Sequence, residues 1–289
     1  MADGEGKNVA LITGMGRSGT SVFARWMSEI GFNFGHDLGK TVNASGSVKS
    51  ASEVQHVNPT GNFEDAGLMS LHVELYKKNN LRSWLDVPLD HHWQTPPNQA
   101  ELFRSYMSHF VKIGSPVAVK NPLATSFLPS WEAALPGVTV LVVYRDRAAS
   151  IDSVVRLRNR NQHYRRNRIA GFVNLMKYRY SSNTVQLEQR NALRAWIRCN
   201  QESLDFTSSE IPTSTPMVIN AEAWMQNNGE KVFELLSRRF DHLKYVSVLS
   251  LLKEGFFTRE APSYGTFTEL ENKAVSVEKA LFDAEVHNK

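Results

Sequence analysis

Apolar residues along the chain fall into two alternating rhythms. Val9 to Thr13, Pro116 to Lys120, Val138 to Tyr144 and Pro216 to Asn220 are short, largely continuous apolar runs, as expected of strands buried on both faces. Between them the apolar positions take helical spacing. From Ser18 onward Val22, Phe23, Trp26, Met27 and Ile30 define a first helix, with Gly31 placed to cap it. Further helices are predicted from the acidic pair Glu64-Asp65 to about Lys78, over Asn98 to Ile113, from about Ala124 to Leu135, and from about Ala148 to Leu157. Gln186 to Phe206 reads as a long amphipathic helix with Leu187, Leu193, Trp196, Ile197 and Leu204 as its core positions, and Ala221 to Phe240 as one more. This alternation predicts the α/β class, a central parallel sheet flanked by helices. No internal repeat or composition shift marks a second unit, so residues 1–289 are read as one domain.

Two stretches break the rhythm. Gly35 to Pro59 is rich in Gly, Ser, Asn and Thr without periodicity, and a loop of that length is expected to be a lid, a substrate loop or partly disordered, mobile over residues 35–60. Ser83 to Pro97 carries Trp84, His91, His92 and Trp93 with no period; together with 158–184 it is expected to be an insertion on the substrate side. The paired histidines lack a third residue at a ligand spacing, so no metal is expected there. The tail from Lys253 mixes Gly, Pro and aromatics before a polar, helix-like end.

Composition narrows the ligand class. Of 289 residues 42% are hydrophobic, ample for a core, and 33 Lys plus Arg against 29 Asp plus Glu leave a net charge of +4. That mild excess fits an anionic ligand and is too weak to demand nucleic acid. It concentrates in Arg156 to Arg168, where six of thirteen residues are arginine. The run is either a solvated helix face or loop, or a grip on an anionic ligand or acidic substrate; with Tyr164 alone available for stacking, nucleic acid is disfavoured. The single cysteine, Cys199, excludes an internal disulfide and suits a reducing compartment. The short acidic start and the lack of an apolar run near 20 residues lead to the expectation of a soluble, cytoplasmic protein.

The chemistry gathers at Gly14-Met15-Gly16-Arg17-Ser18-Gly19-Thr20-Ser21, where the first strand passes through a glycine-rich turn into a helix. Such a turn presents backbone N–H groups at the positive end of a helix dipole, a natural phosphate site. Gly14 and Gly19 have the spacing of a nucleoside-triphosphate loop, but Thr20 stands where that loop needs Lys, and the cation has moved to Arg17. The best strand ends in Tyr144-Arg145 rather than in a magnesium-binding Asp. Both departures argue against an ordinary ATPase or kinase. Three chemically loaded turns, at Gly14 to Ser21, Lys120 to Pro122 and Arg145 to Ser153, all follow predicted strands, the end of a parallel sheet at which ligands bind.

In the order and spacing of these turns the chain resembles the sulfotransferases that use 3′-phosphoadenosine 5′-phosphosulfate (PAPS). Gly14 to Ser21 is similar to their 5′-phosphosulfate loop in its Arg-Ser-Gly-Thr version, as in tyrosylprotein sulfotransferases and many bacterial members. Arg145 to Ser153 resembles their 3′-phosphate element, an Arg at a strand end followed eight residues later by Ser. Lys120-Asn121-Pro122 is similar to their Lys-Asp-Pro turn, with Asn121 in place of the usual Asp. The resemblance implies a P-loop-like sulfotransferase architecture, covering Val9 to Leu157 and more loosely Pro216 to Phe240.

It also implies roles. Arg17 and Lys120 would stabilise the leaving group and sulfuryl oxygens, with Gly16, Ser18, Gly19, Thr20 and Ser21 around the 5′-phosphate and Arg145 with Ser153 on the 3′-phosphate. Glu64 would be the base that takes the acceptor's proton, with Asp65 as alternate and His36 a weaker candidate; the other reading of the acids is a helix cap. The donor would leave as adenosine 3′,5′-bisphosphate (PAP), with no metal taking part. The acceptor class, whether small molecule, carbohydrate, lipid or peptide, has no readable motif. A P-loop small-molecule kinase and a noncatalytic polyanion-binding module are the alternatives.

Overall fold

The computed structural model describes residues 5–34, 41–42, 48–49, 63–108, 116–169, 182–251 and 267–287. Four strands, β1 (Val9–Thr13), β4 (Val117–Lys120), β5 (Thr139–Tyr144) and β6 (Met217–Asn220), form a sheet of order β4-β1-β5-β6, parallel throughout. Every residue of β1, β4 and β5 is buried, which is why they read as unbroken apolar runs. Two residue pairs, β2 (Thr41–Val42) and β3 (Val48–Lys49), make a small antiparallel pair inside the expected mobile loop, whose remainder lies outside the described residues, as do His36, Gly61 and Asn62.

Side-chain alternation along the strands builds two cores. Ala10, Ile12, Ala118, Leu141, Val143, Met217 and Ile219 face α1 (Thr20–Ile30), α7 (Ala221–Gln226) and α8 (Glu230–Ser237). Phe23, Trp26 and Trp224 meet there edge-on or tilted, with centroids 5.0–5.6 Å apart. Val9, Leu11, Val117, Val119, Val140, Val142 and Val218 face the opposite side. That side is covered by α2 (Ala66–Lys78), α3 (Gln99–Met107), α4 (Leu128–Ala134), α5 (Arg147–Ile169), α6 (Ser182–Thr207) and α9 (Thr268–His287).

The structure departs from the sequence reading at several points. The helix expected from Ala124 starts earlier, as a 3-10 turn over Pro122–Phe127 with Asn121 as its cap and Pro at its first position. Helix α5 runs on to Ile169 rather than stopping at Leu157: the Arg-rich stretch loses apolar periodicity but contains neither Gly nor Pro, and arginine is a good helix former. The single helix expected over Ala221 to Phe240 is two, broken at Asn227–Gly229 with Asn228 at φ 53°. Leu187 is 56% exposed on α6, outside the core it was assigned to, whereas Leu193, Trp196, Ile197 and Leu204 are buried.

Chain order places β4 on one side of β1 and then returns to place β5 on the other. The connections from neighbouring strands therefore diverge, opening a crevice beyond the carboxyl ends of β4, β1 and β5. All three loaded turns open there.

Candidate active site

The Gly14–Ser21 loop is shaped by contacts with its neighbours. Gly14 lies at φ 133°, and a Cβ there would fall 2.1 Å from the Val143 carbonyl oxygen, so β5 leaves room for glycine alone. The Ser18 hydroxyl donates to that same carbonyl at 2.8 Å, and the Ser18 N–H donates to Met15 O at 3.1 Å. Ser18 thus stitches the loop to the sheet with its side chain instead of pointing it into the cradle. Thr13 and Thr125 join hydroxyls at 2.7 Å, and Thr125 also accepts from the Gly14 N–H at 3.3 Å, locking the loop to the turn behind Lys120. Helix α1 then starts at Gly19, in a left-handed conformation that offers no capping side chain, and no acid stands in the first turn. Its amide end and dipole are therefore suited to an anion. Thr20, in the position of a kinase lysine, is buried.

The loop carries one cation and is met by a second. Arg17, itself at φ 80°, sends Nε to the Ser153 hydroxyl at 3.1 Å. Ser153 stands on the second turn of α5, so the loop after β1 and the helix after β5 touch across 136 residues of sequence. Lys120, 3% exposed at the end of β4, donates to Glu64 Oε1 and to Ser21 Oγ at 3.2 Å. A buried ammonium needs such partners, and here they come from both the loop and the acidic turn before α2.

The two carboxylates of that turn part company. Asp65 Oδ1 accepts from Gly67 N–H at 2.9 Å, Leu68 N–H at 3.0 Å and Tyr106 O–H at 2.6 Å, so it serves as the cap of α2. Glu64 instead faces Lys120. Beside it, Asn121 caps the 3-10 turn through Leu123 N–H at 2.9 Å and lies 2.9 Å from His72 Nδ1. Trp131 Nε1 donates to His72 Nε2 at 3.1 Å, and His72 Nδ1 lies 2.8 Å from Leu68 O. Burial pushes the His72 pKa down to about 4, so this network beneath Lys120 is neutral.

Arg145, at the end of β5, donates Nε to Glu222 Oε1 at 2.6 Å, and Glu222 Oε2 accepts from Asp146 N–H at 3.3 Å. Sequence reasoning missed Glu222; its signal was an acid in the first turn of α7, directly after the Asn220 cap. Trp84 was also left without a role, yet its indole covers Gly16, where a Cβ would come within 3.1 Å of Cζ2. The structure therefore brings Arg17 to Ser153 and Lys120 to Ser21 and Glu64, while Arg145 is drawn to Glu222. In the basic run, Arg156 pairs with Asp152 at 2.5 Å and Arg158 lies 3.9 Å from Asp86 and 4.0 Å from Glu188; the side chains of 159–168 lie outside the described residues.

Comparison with solved structures finds a sulfotransferase domain from the Synechococcus PCC 7002 olefin synthase, at 14% identity and a TM-score of 0.50 over 95% of this chain and 94% of that one. The fold is that of a sulfotransferase domain. A sulfotransferase domain from the curacin biosynthetic pathway also matches, at 14% identity and a TM-score of 0.45 over 93% of this chain and 96% of that one. No family model matches the sequence, and no curated protein matches it. Among the described residues of this sulfotransferase-like fold, no group of three or more His, Cys, Asp or Glu could hold a metal ion, and no helix is long and apolar enough to cross a membrane.

Proposed function

We propose that the protein transfers the sulfuryl group of PAPS to a hydroxyl or amine acceptor by in-line displacement. The observation that carries this reading is that one glycine-rich loop bears Arg17, which donates to Ser153 on the helix after β5, and through Ser21 meets Lys120 from the end of β4. In sulfuryl transfer negative charge grows on the oxygen that bridges to the departing nucleotide while the acceptor loses a proton. Preorganised cations and N–H dipoles at that oxygen are the main source of rate. Arg17 and Lys120 supply the cations, and the loop with the amide end of α1 supplies the dipoles around the 5′-phosphate. Arg145 offers a planar guanidinium and Ser153 a hydroxyl for the 3′-phosphate, with Glu222 orienting the arginine from behind.

Glu64 is the base in this scheme. Its contact with Lys120 supports this role: in the scheme Lys120 turns to the bridging oxygen and Glu64 faces the acceptor. The rigid caps of Asp65 and Asn121 fix the two turns that carry these groups.

Incubation of the purified protein with radiolabelled PAPS is the direct test. Binding, with consumption in the presence of an acceptor panel of phenols, sugars, lipids and peptides, supports the reading. Protein that neither binds nor consumes PAPS refutes it, and magnesium-dependent ATP binding that outcompetes PAP would point to a kinase instead.

A further inference from the structure

We propose that Arg198 is a positioning residue for the anion loop, acting through Trp84, which it holds against Gly16. Arg198 is 3% exposed on α6 and forms an i,i+4 pair with Glu202. Replacing such a buried pair by apolar side chains is often neutral or stabilising, so stability is a poor reason for its presence, and its contacts point to another. Nη1 donates to Glu202 Oε1 at 3.0 Å, Oε2 at 3.1 Å and Ser126 Oγ at 3.0 Å; Nη2 donates to the Trp84 carbonyl at 3.2 Å. The guanidinium lies 5.7 Å from the centre of the Trp93 ring, whose N–H donates to Glu202 Oε1 at 2.9 Å. Ser126 completes the ring by donating to Glu202 Oε2 at 2.9 Å.

This node joins three separate pieces. Ser126 belongs to the 3-10 turn that follows Lys120, Trp84 and Trp93 belong to the irregular 83–97 strap, and Arg198 with Glu202 sits on the helix beneath both. Farther along, Asn79 clasps Gln94 through two hydrogen bonds, Nδ2 to Gln94 O at 3.0 Å and Gln94 N–H to Oδ1 at 2.8 Å. The strap is therefore pinned along its length, and the Trp84 indole is set as a fixed wall on Gly16, one residue from Arg17. A guanidinium fork can hold a carbonyl, a carboxylate and a hydroxyl at once; an ammonium of the same charge cannot hold them in one plane.

The functional half of this proposal rests on the donor-site reading, and the experiment separates the two. Hydrogen exchange of the ligand-free protein over residues 83–94 is compared for wild type and Arg198→Lys, and PAP affinity is measured by calorimetry for wild type, Arg198→Lys, Trp84→Ala and the double variant. Exchange faster by about tenfold in Arg198→Lys is expected, with PAP affinity reduced about tenfold by either single change and little further by both, since the two residues act as one unit. Should Arg198→Lys fail to fold, the apolar pair Arg198→Met with Glu202→Met takes its place. Unchanged exchange overturns the holding role. Faster exchange with additive losses of affinity overturns the route through Trp84. If wild type binds no PAP, the donor reading falls and with it the functional half, while the exchange result still decides whether Arg198 holds the strap.

Discussion

Arg17 Nε lies 3.1 Å from Ser153 Oγ, joining the glycine-rich loop after β1 to the helix after β5. In the proposed reaction this is the seam between the two ends of a bipartite donor site. Arg17→Ala or Lys120→Ala is expected to lower turnover by about 10²–10³, the usual loss when one preorganised donor to a developing oxyanion is removed. Arg145→Ala is expected instead to raise the KM for PAPS with a smaller effect on kcat. Sulfate transfer from labelled PAPS, fitted for both constants, distinguishes the two patterns.

The split between neighbouring carboxylates is equally testable. Glu64→Gln should remove most of the acceptor-dependent rate and also lower stability, because the buried Lys120 ammonium loses its counter-charge. Asp65→Ala should cost about 1 kcal/mol or more of stability, because a helix cap and the Tyr106 hydrogen bond are lost together, with chemistry affected only indirectly. Urea denaturation beside the transfer assay reads both.

Gly14→Ala should destabilise by at least about 1–3 kcal/mol from the left-handed backbone alone, and more because the new Cβ meets the Val143 carbonyl. Thermal unfolding measures it, and a variant as stable as wild type would contradict the loop geometry.

Acid should weaken the fold through His72. The unfolded chain protonates this ring near its ordinary pKa of 6.5, whereas the native state resists until about 4. Its contribution is therefore intact above pH 6.5 and is lost as pH falls from 6.5 to 4, by about 3 kcal/mol in all. Denaturation of wild type and His72→Gln at pH 7.5 and 4.5 should show a smaller pH dependence in the variant.

Strands and turns were legible in the sequence to the extent that burial imposed a period. β1 and β5 are apolar on both faces because helices cover both, and the three turns stood out because each carries a cation directly after such a strand. The far half of α5 was missed because periodicity reports burial, and an Arg-rich helix can continue without it. The cationic loop, Lys120 and Glu64 were visible as motif positions, but the division of labour between Glu64 and Asp65 depends on which oxygen meets Lys120 and which meets Tyr106. Glu222, Trp84 and Arg198 left only weak signals: a first-turn acid, an unplaced aromatic and an i,i+4 charge pair on a long amphipathic helix. Their partners lie 77, 68 and 114 residues away in the chain, beyond any local pattern.

Strand β1, inside the sheet, is also the first strand among the described residues. β1 pairs Val9 with Val117 and Ala10 with Thr139, so on a ribosome its ladder has no partner on either side until more than a hundred further residues have emerged. Closing such long loops before any ladder bond forms is entropically slow. During that interval β1 waits unpaired, which ties completion of the glycine-rich loop to the late arrival of β4 and β5.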